Sequence, residues 1–256
     1  MMEDNDRIEN FITDNILDDC DVVENILGIN SLKPWQRKLI EVFFNERFIV
    51  VNKTQHVNSK SFISKLAFSL FVKEENFKIL ILVDSLKSLR TFYDLIFETF
   101  RTYNYNMNYF NSYGIDYHDK NFILEIKNKD SNDTNEIEVT VDPKKCLNKN
   151  YDLLIIDDAA YIEDIKNKYD YLVPNHINYD NVFKPYGIVI CSEMNNFSDD
   201  LRKGVMGNWF SSCWNDAINF CNDFIPIYVA KDDDKEIENE DYFLFREDDY
   251  LDWKKY

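Results

Sequence analysis

Four short runs of uninterrupted apolar residues constrain this chain more than anything else in it: FIVV at 48–51, KILILV at 78–83, YDLLII at 151–156 and GIVIC at 187–191. A strand wetted on one face alternates apolar and polar residues, whereas one that is apolar throughout is covered on both faces. Helical patterns separate the runs. Phe62, Leu66, Ala67, Leu70 and Phe71 follow the first, and Leu89, Phe92, Leu95, Ile96 and Phe100 line one side of a helix at 86–100. Strands alternating with helices predict an α/β fold, a mainly parallel sheet flanked by helices. Ligands of such sheets sit at the carboxyl ends of the strands, so chemistry is sought in the polar residues that follow each run.

The rest of the chain fits around this unit. Ile8, Phe11, Ile12, Ile16 and Leu17 have helical spacing and predict two short amphipathic helices within residues 1–30. A further helix at 32–45 has Pro34 in its first turn. FILEIK and EIEVTV alternate apolar and polar residues around a polar turn at 130–135, which predicts an inserted β-hairpin over 121–141. No Pro-, Gly- or Ser-rich stretch divides the 256 residues. The expectation is a helical N-terminal segment (1–30), one domain (31–230) and an acidic C-terminal tail (231–256).

Composition excludes several functions. The net charge of -18 repels a phosphate backbone, so DNA binding by this domain alone is not expected; contact with DNA requires a basic patch or a basic partner. The five cysteines form no CxxC pair and the three histidines lie far apart, which argues against a disulfide framework or a zinc site. No leader pattern and no bilayer-length apolar stretch occurs, so the expected setting is reducing and cytosolic, with no membrane. Tyr103, Tyr105, Tyr109, Phe110 and Tyr113 cluster, but few basic residues interleave with them; core packing explains them better than base stacking.

Two strand ends carry candidate chemistry. After the first comes KTQHVNSKS, ending in Lys60 and Ser61 just before a helix. A phosphate-binding P-loop reads G-x-x-x-x-G-K-[ST]: glycines let backbone amides wrap phosphate, the lysine meets the β and γ phosphates, and the hydroxyl holds magnesium. Here the lysine and hydroxyl match, while Thr54 and Ser59 stand where glycines belong. Glycine reaches positive φ at little cost and serine does not, so a strained or reshaped cradle is expected. An ordinary helix start would also explain Ser-Lys-Ser alone. The third run delivers Asp157 and Asp158 at its carboxyl end. In P-loop ATPases the first such acid holds magnesium and a second, usually Glu, polarises the attacking water. Simple capping of the next helix is the alternative. Gln36 lies about one strand ahead of the loop, where its amide could read an adenine edge; a surface helix position is the bland explanation. Cys191 and Ser192 end the fourth run.

The order of these pieces resembles the ATPase domain of the terminase large subunit of tailed bacteriophages. KPWQ at 33–36 is similar to that family's adenine motif, 48–61 to its strand and P-loop, and YDLLIIDDAAYI at 151–162 to its strand ending in Asp-Glu-Ala-Ala-Phe-Ile. The segment 122–141 is similar to its hairpin, and 207–226 to an aromatic pair followed by a Trp-containing helix. The likeness covers about residues 30–230. It implies binding of ATP and Mg2+: Gln36 on adenine, Thr54, His56, Ser59, Lys60 and Ser61 around the phosphates, and Ser61 and Asp157 on magnesium. It further implies Asp158 with Lys60 in catalysis and Ser192 in the motif coupling hydrolysis to movement. His56 falls at the family's P-loop arginine by spacing, Asp158 at its catalytic Glu, and CSEMN at 191–195 at its coupling motif, with an extra stretch at 196–205. The family's Arg-Gly before the third run is missing, leaving Lys144, Lys145 and Lys149 as nearby cations. The expected function is the ATPase subunit of a viral DNA-packaging motor in the cytoplasm of an infected host cell, in a homo-oligomeric ring. Its expected partners are a separate nuclease subunit, a small terminase subunit or portal, and double-stranded DNA within the assembly. The alternatives are a catalytically impaired terminase-like binding partner and a helicase-like ATPase.

Overall fold

A computed structural model describes residues 32, 34–54, 57–73, 76–107, 110–118, 120–128, 134–146, 149–177, 187–193, 206–219, 222–230 and 243–246. The helices expected at 1–30, the stretch at 196–205 and most of the acidic tail lie outside the described residues. Helix α1 (Pro34–Glu46) opens on its proline, whose fixed φ and missing N–H suit a first turn. It stops at Arg47, which takes a left-handed φ of 62° and returns its N–H to the Phe43 carbonyl at 2.9 Å. Strand β1 (Phe48–Lys53), helix α2 (Ser59–Lys73), strand β2 (Lys78–Leu82) and helix α3 (Leu86–Met107) follow. α3 runs seven residues past the apolar stripe that predicts it.

Three strands come next: β3 (Phe110–His118), β4 (Asn121–Asn128) and β5 (Thr134–Thr140). After them stand β6 (Leu153–Asp157), a 3-10 turn (Ala159–Tyr161), helix α4 (Ile165–His176) and β7 (Gly187–Ser192). Helix α5 (Met206–Ile218) carries the Trp209, Phe210 and Trp214 aromatics, and β8 (Ile225–Ala230) and β9 (Phe243–Arg246) complete the order. The described strands form one nine-stranded sheet, β3-β4-β5-β2-β6-β7-β1-β8-β9. Every neighbouring pair from β5 to β9 is parallel, and only β4 runs against the rest. The expected hairpin is present as the antiparallel β4 and β5. It is no appendage, however: β5 pairs with β2 along its length, and β3 extends the sheet beyond β4.

Alternation along the buried strands sends their side chains to two cores. Ile49, Val51, Ile79, Ile81, Leu153, Ile155 and Val189 pack with α1, α2 and α3 on one face. Val50, Leu80, Leu82, Leu154, Ile156 and Ile190 pack with α4 and α5 on the other. Covering both faces is what lets these strands be apolar throughout. At the amino edge Gly187 meets the turn after α1: a Cβ there would lie 2.6 Å from the Arg47 carbonyl oxygen. That carbonyl accepts the Ile188 N–H at 3.0 Å, and Gly187 donates its own N–H to the Asp152 carbonyl at 3.0 Å. No described helix is long and apolar enough to cross a membrane.

Candidate functional site

β6, β7 and β1 lie side by side and end at one edge of the sheet. Lys53 follows Ile49 and Val51 on the α2-facing side of β1, and Asp157 follows Leu153 and Ile155 on the same side of β6. Cys191 sits between them, in register with Val51 and Asp157. Helix α2 begins over this edge because Asn58 caps it, its side-chain oxygen accepting the Ser61 N–H at 3.3 Å. The cap sets Ser59, Lys60 and Ser61 in the first helical turn.

These residues meet. Lys60 Nζ lies 2.8 Å from Asp157 Oδ2 and 2.5 Å from Asp158 Oδ2. The Ser59 hydroxyl donates to Asp157 Oδ1 at 2.7 Å. Lys53 Nζ stands 3.1 Å from Asp158 Oδ1. Two ammonium groups thus balance two carboxylates in a place where Asp157 is fully buried. Burial and the neighbouring Asp158 push the Asp157 carboxyl above the ordinary carboxylate range, against Lys60 and Ser59. For Asp158 burial pulls the same way, but Lys53 and Lys60 outweigh it and hold its carboxyl below that range. Burial opposes the charge of Lys60 too, and the two carboxylates more than compensate, holding it above the usual lysine range.

Asp158 reaches this cluster through its backbone. Successive strand residues face opposite ways, so a continued β6 would turn Asp158 away from Asp157. Instead Asp158 adopts φ 54° and ψ 42°, the left-handed region, and its side chain comes round to Lys60. Its carboxylate makes no capping bond to the following turn, which disposes of the helix-cap alternative for this residue. Nor does a regular helix follow directly, as the sequence suggested. Three residues of 3-10 turn intervene, and α4 starts at Ile165.

The loop between β1 and α2 departs from the expected strain. Neither Thr54 nor Ser59 is among the described residues with positive φ. Thr54 donates its N–H to the Val229 carbonyl at 3.0 Å, Val57 to Thr54 at 3.3 Å and Ser59 to Val57 at 3.1 Å. A glycine is unnecessary here because these amides turn into the protein, and the Ser59 side chain that replaces it is anchored on Asp157. His56 lies outside the described residues. Gln36 is buried, donating to the Ser61 hydroxyl at 3.4 Å and accepting from Lys65 Nζ at 3.0 Å. It is therefore no surface residue, and its amide already links α1 to the first two turns of α2.

Ser192 is buried at the end of β7, and its hydroxyl oxygen accepts the Ala160 N–H at 3.0 Å. Tyr161 donates its hydroxyl to the Glu193 carboxylate. The turn after Asp158 is thereby tied to the end of β7 at two points. Lys149, one of the lysines near the missing Arg-Gly, points elsewhere. It pairs with Glu136 at 2.7 Å and Glu138 at 3.0 Å in a buried network that also takes the Tyr151 hydroxyl, at 2.7 Å from Glu138. Sequence reasoning passed over Lys53. The strand alternation Ile49, Val51, Lys53 was the signal that placed it beside Asp157.

A magnesium ion suits the donor set. Ser61 and Asp157 offer a hydroxyl and a carboxylate, hard oxygens of the kind Mg2+ takes in ones and twos while keeping phosphate and water for the rest. Among the described residues the partners of Asp157 are one hydroxyl, from Ser59, and one ammonium, from Lys60.

No family model matches the sequence, and no curated protein matches it. Solved structures do. The HK97 bacteriophage large terminase superposes with a TM-score of 0.53 at 11% identity, covering 80% of this chain and 42% of that one. The large terminase of the thermophilic bacteriophage D6E, in complex with ATP-gamma-S, gives 0.51 at 12% identity, with 77% and 44% covered. A mutant ATPase domain of the Thermus phage P74-26 large terminase gives 0.50 at 12% identity, with 87% and 83% covered. The chain thus spans less than half the length of the HK97 and D6E proteins. At these identities the agreement is one of architecture, and it is the architecture the sequence predicts: this chain has the fold of the ATPase domain of phage large terminases.

Proposed function

We propose that this chain is an ATP-hydrolysing motor module of a viral DNA-packaging assembly, working in the cytoplasm of the infected host cell. The observation that carries the reading is the convergence of Lys60, Asp157 and Asp158 at the carboxyl edge of a terminase-like sheet. On nucleotide binding Lys60 exchanges its carboxylate partners for phosphate oxygens. Ser61 and Asp157 would hold Mg2+, which would supply positive charge against the phosphates. Asp158, still paired with Lys53, orients the attacking water through its carboxylate. Ser192, bonded to the turn that carries Asp158, transmits the change at the phosphate to β7. Partners of such a module are a portal, a small subunit and a nuclease. With a net charge of -18, it approaches double-stranded DNA within that assembly.

One observation favours a second reading, a terminase-like subunit without turnover. The Thr54, Val57 and Ser59 amides are bonded internally, and Lys60 is held by both carboxylates, so triphosphate must displace several contacts to enter. A single experiment separates the two. Purified protein is titrated with a fluorescent ATP analogue and magnesium while phosphate release is followed, beside Lys60→Ala. Saturable binding and turnover that both require Lys60 support the motor; binding without turnover supports the second reading. Turnover that persists in Lys60→Ala sinks the assignment of this site.

A further inference from the structure

Asp158 has its two oxygens held by two different lysines, Lys60 on Oδ2 and Lys53 on Oδ1. Lys60 is shared, since it also holds Asp157. Lys53 is not placed like a phosphate ligand of the loop: it is the last residue of β1, before the loop begins, and its side chain is only 10% exposed. The two lysines therefore have different futures when nucleotide arrives. As Lys60 turns to phosphate, Asp157 keeps the Ser59 hydroxyl, but Asp158 loses its Oδ2 partner. Its own turn offers no substitute, because its side chain makes no capping bond there.

We infer that Lys53 is the positioning residue of this site: it keeps Asp158 aimed at the attacking water after Lys60 has been drawn to the phosphates. The inference rests on the ATP-hydrolysis reading above. Lys53 acts through Asp158, and is a cation supplied by the same chain from a rigid strand end. Without it, Lys60 is divided between Asp158 and the phosphate, and the carboxylate swings with it.

The test measures kcat, KM and nucleotide affinity of the full chain with Mg-ATP for wild type, Lys53→Met, Lys53→Arg, Asp158→Asn and the Lys53→Met/Asp158→Asn pair. Lys53→Met is expected to lose about 100-fold in kcat, the scale of a displaced general base, with a much smaller change in KM. Lys53→Arg restores most of the loss, because a guanidinium reaches the same carboxylate. In the Asp158→Asn background, removing Lys53 leaves kcat where Asp158→Asn put it. Independent, multiplying losses in the pair would overturn the inference, as would wild-type kcat in Lys53→Met. If Lys53→Met does not fold, Lys53→Gln replaces it in every arm. Wild-type protein that binds or turns over nothing overturns the hydrolysis reading and this inference together; normal wild-type turnover with an indifferent Lys53 overturns this inference alone.

Discussion

Lys60 holds the site together before any nucleotide arrives, and replacing it tests this directly. Its ammonium is the only cation on Asp157 among the described contacts, and Asp157 has no exposure of its own. In Lys60→Met the thioether fills much of the same volume, while Asp157 is left buried beside Asp158 with a single hydroxyl as partner. Removing one member of a buried ion pair usually destabilises by about 3–5 kcal/mol. Lys53 still neutralises Asp158, which places the expected loss near the lower end, about 3 kcal/mol. For a domain of this size that corresponds to a fall in Tm of roughly 6–12 °C. The assay is urea unfolding followed by tryptophan fluorescence, since Trp35 and Trp214 are buried in the two separate cores. Adding Asp157→Asn removes the stranded charge with little change of shape, so the double variant is expected to recover about 2 kcal/mol as a coupling energy. A loss below about 1 kcal/mol in Lys60→Met, with no coupling to Asp157→Asn, would show that these carboxylates are solvated and would refute the buried-pair reasoning. The same result bears on function. Any loss of nucleotide binding in a Lys60 variant has to be read against its stability.

Three further outcomes follow from the same geometry. Gly187→Ala drives a methyl group to 2.6 Å from the Arg47 carbonyl and 3.1 Å from the Phe43 ring, so unfolding by urea should show a loss of about 1–3 kcal/mol. Glu138→Ala takes the acceptor from the buried Tyr151 hydroxyl and Asn121 amide while Lys149 keeps Glu136, and should lower stability by about 1–3 kcal/mol in the same assay; a neutral result would mean the network opens to water. Ser192→Ala leaves the Ala160 N–H without its acceptor, an expected loss of about 1–3 kcal/mol. Hydrogen exchange at Ala160 should accelerate with it.

What could be read in the sequence was what local chemistry dictates. The apolar runs announced parallel strands because burial on both faces leaves no room for alternation, and Asp157 and Asp158 stood out because acids at a buried strand end need a reason. Lys60 and Ser61 were found by spacing alone. The missed features depend on partners distant in sequence. β3 carries only a short alternation, Tyr113, Ile115 and Tyr117 separated by Gly114 and Asp116, and it is held in the sheet by its pairing with β4. β9 is four residues within an acidic stretch, held by β8. EIEVTV alternates as a hairpin strand should, yet alternation could not show that Glu136 and Glu138 face Lys149 and Tyr151 instead of water. Asn58, the cap that starts α2, was not singled out within KTQHVNSKS.

The left-handed turn at Asp158 makes position 158 answer to two requirements at once. Its carboxylate pairs with two lysines, and its backbone sits where few residues rest easily; aspartate, asparagine and glycine are the ones that do. Alanine or glutamate at this position would change the shape of the strand end along with its chemistry, and a β-branched residue would change it most. Asparagine alters the charge and leaves the turn intact. An alanine scan would therefore mislead at the one residue where it would first be tried, and the carboxamide is the substitution whose kinetics can be attributed to chemistry.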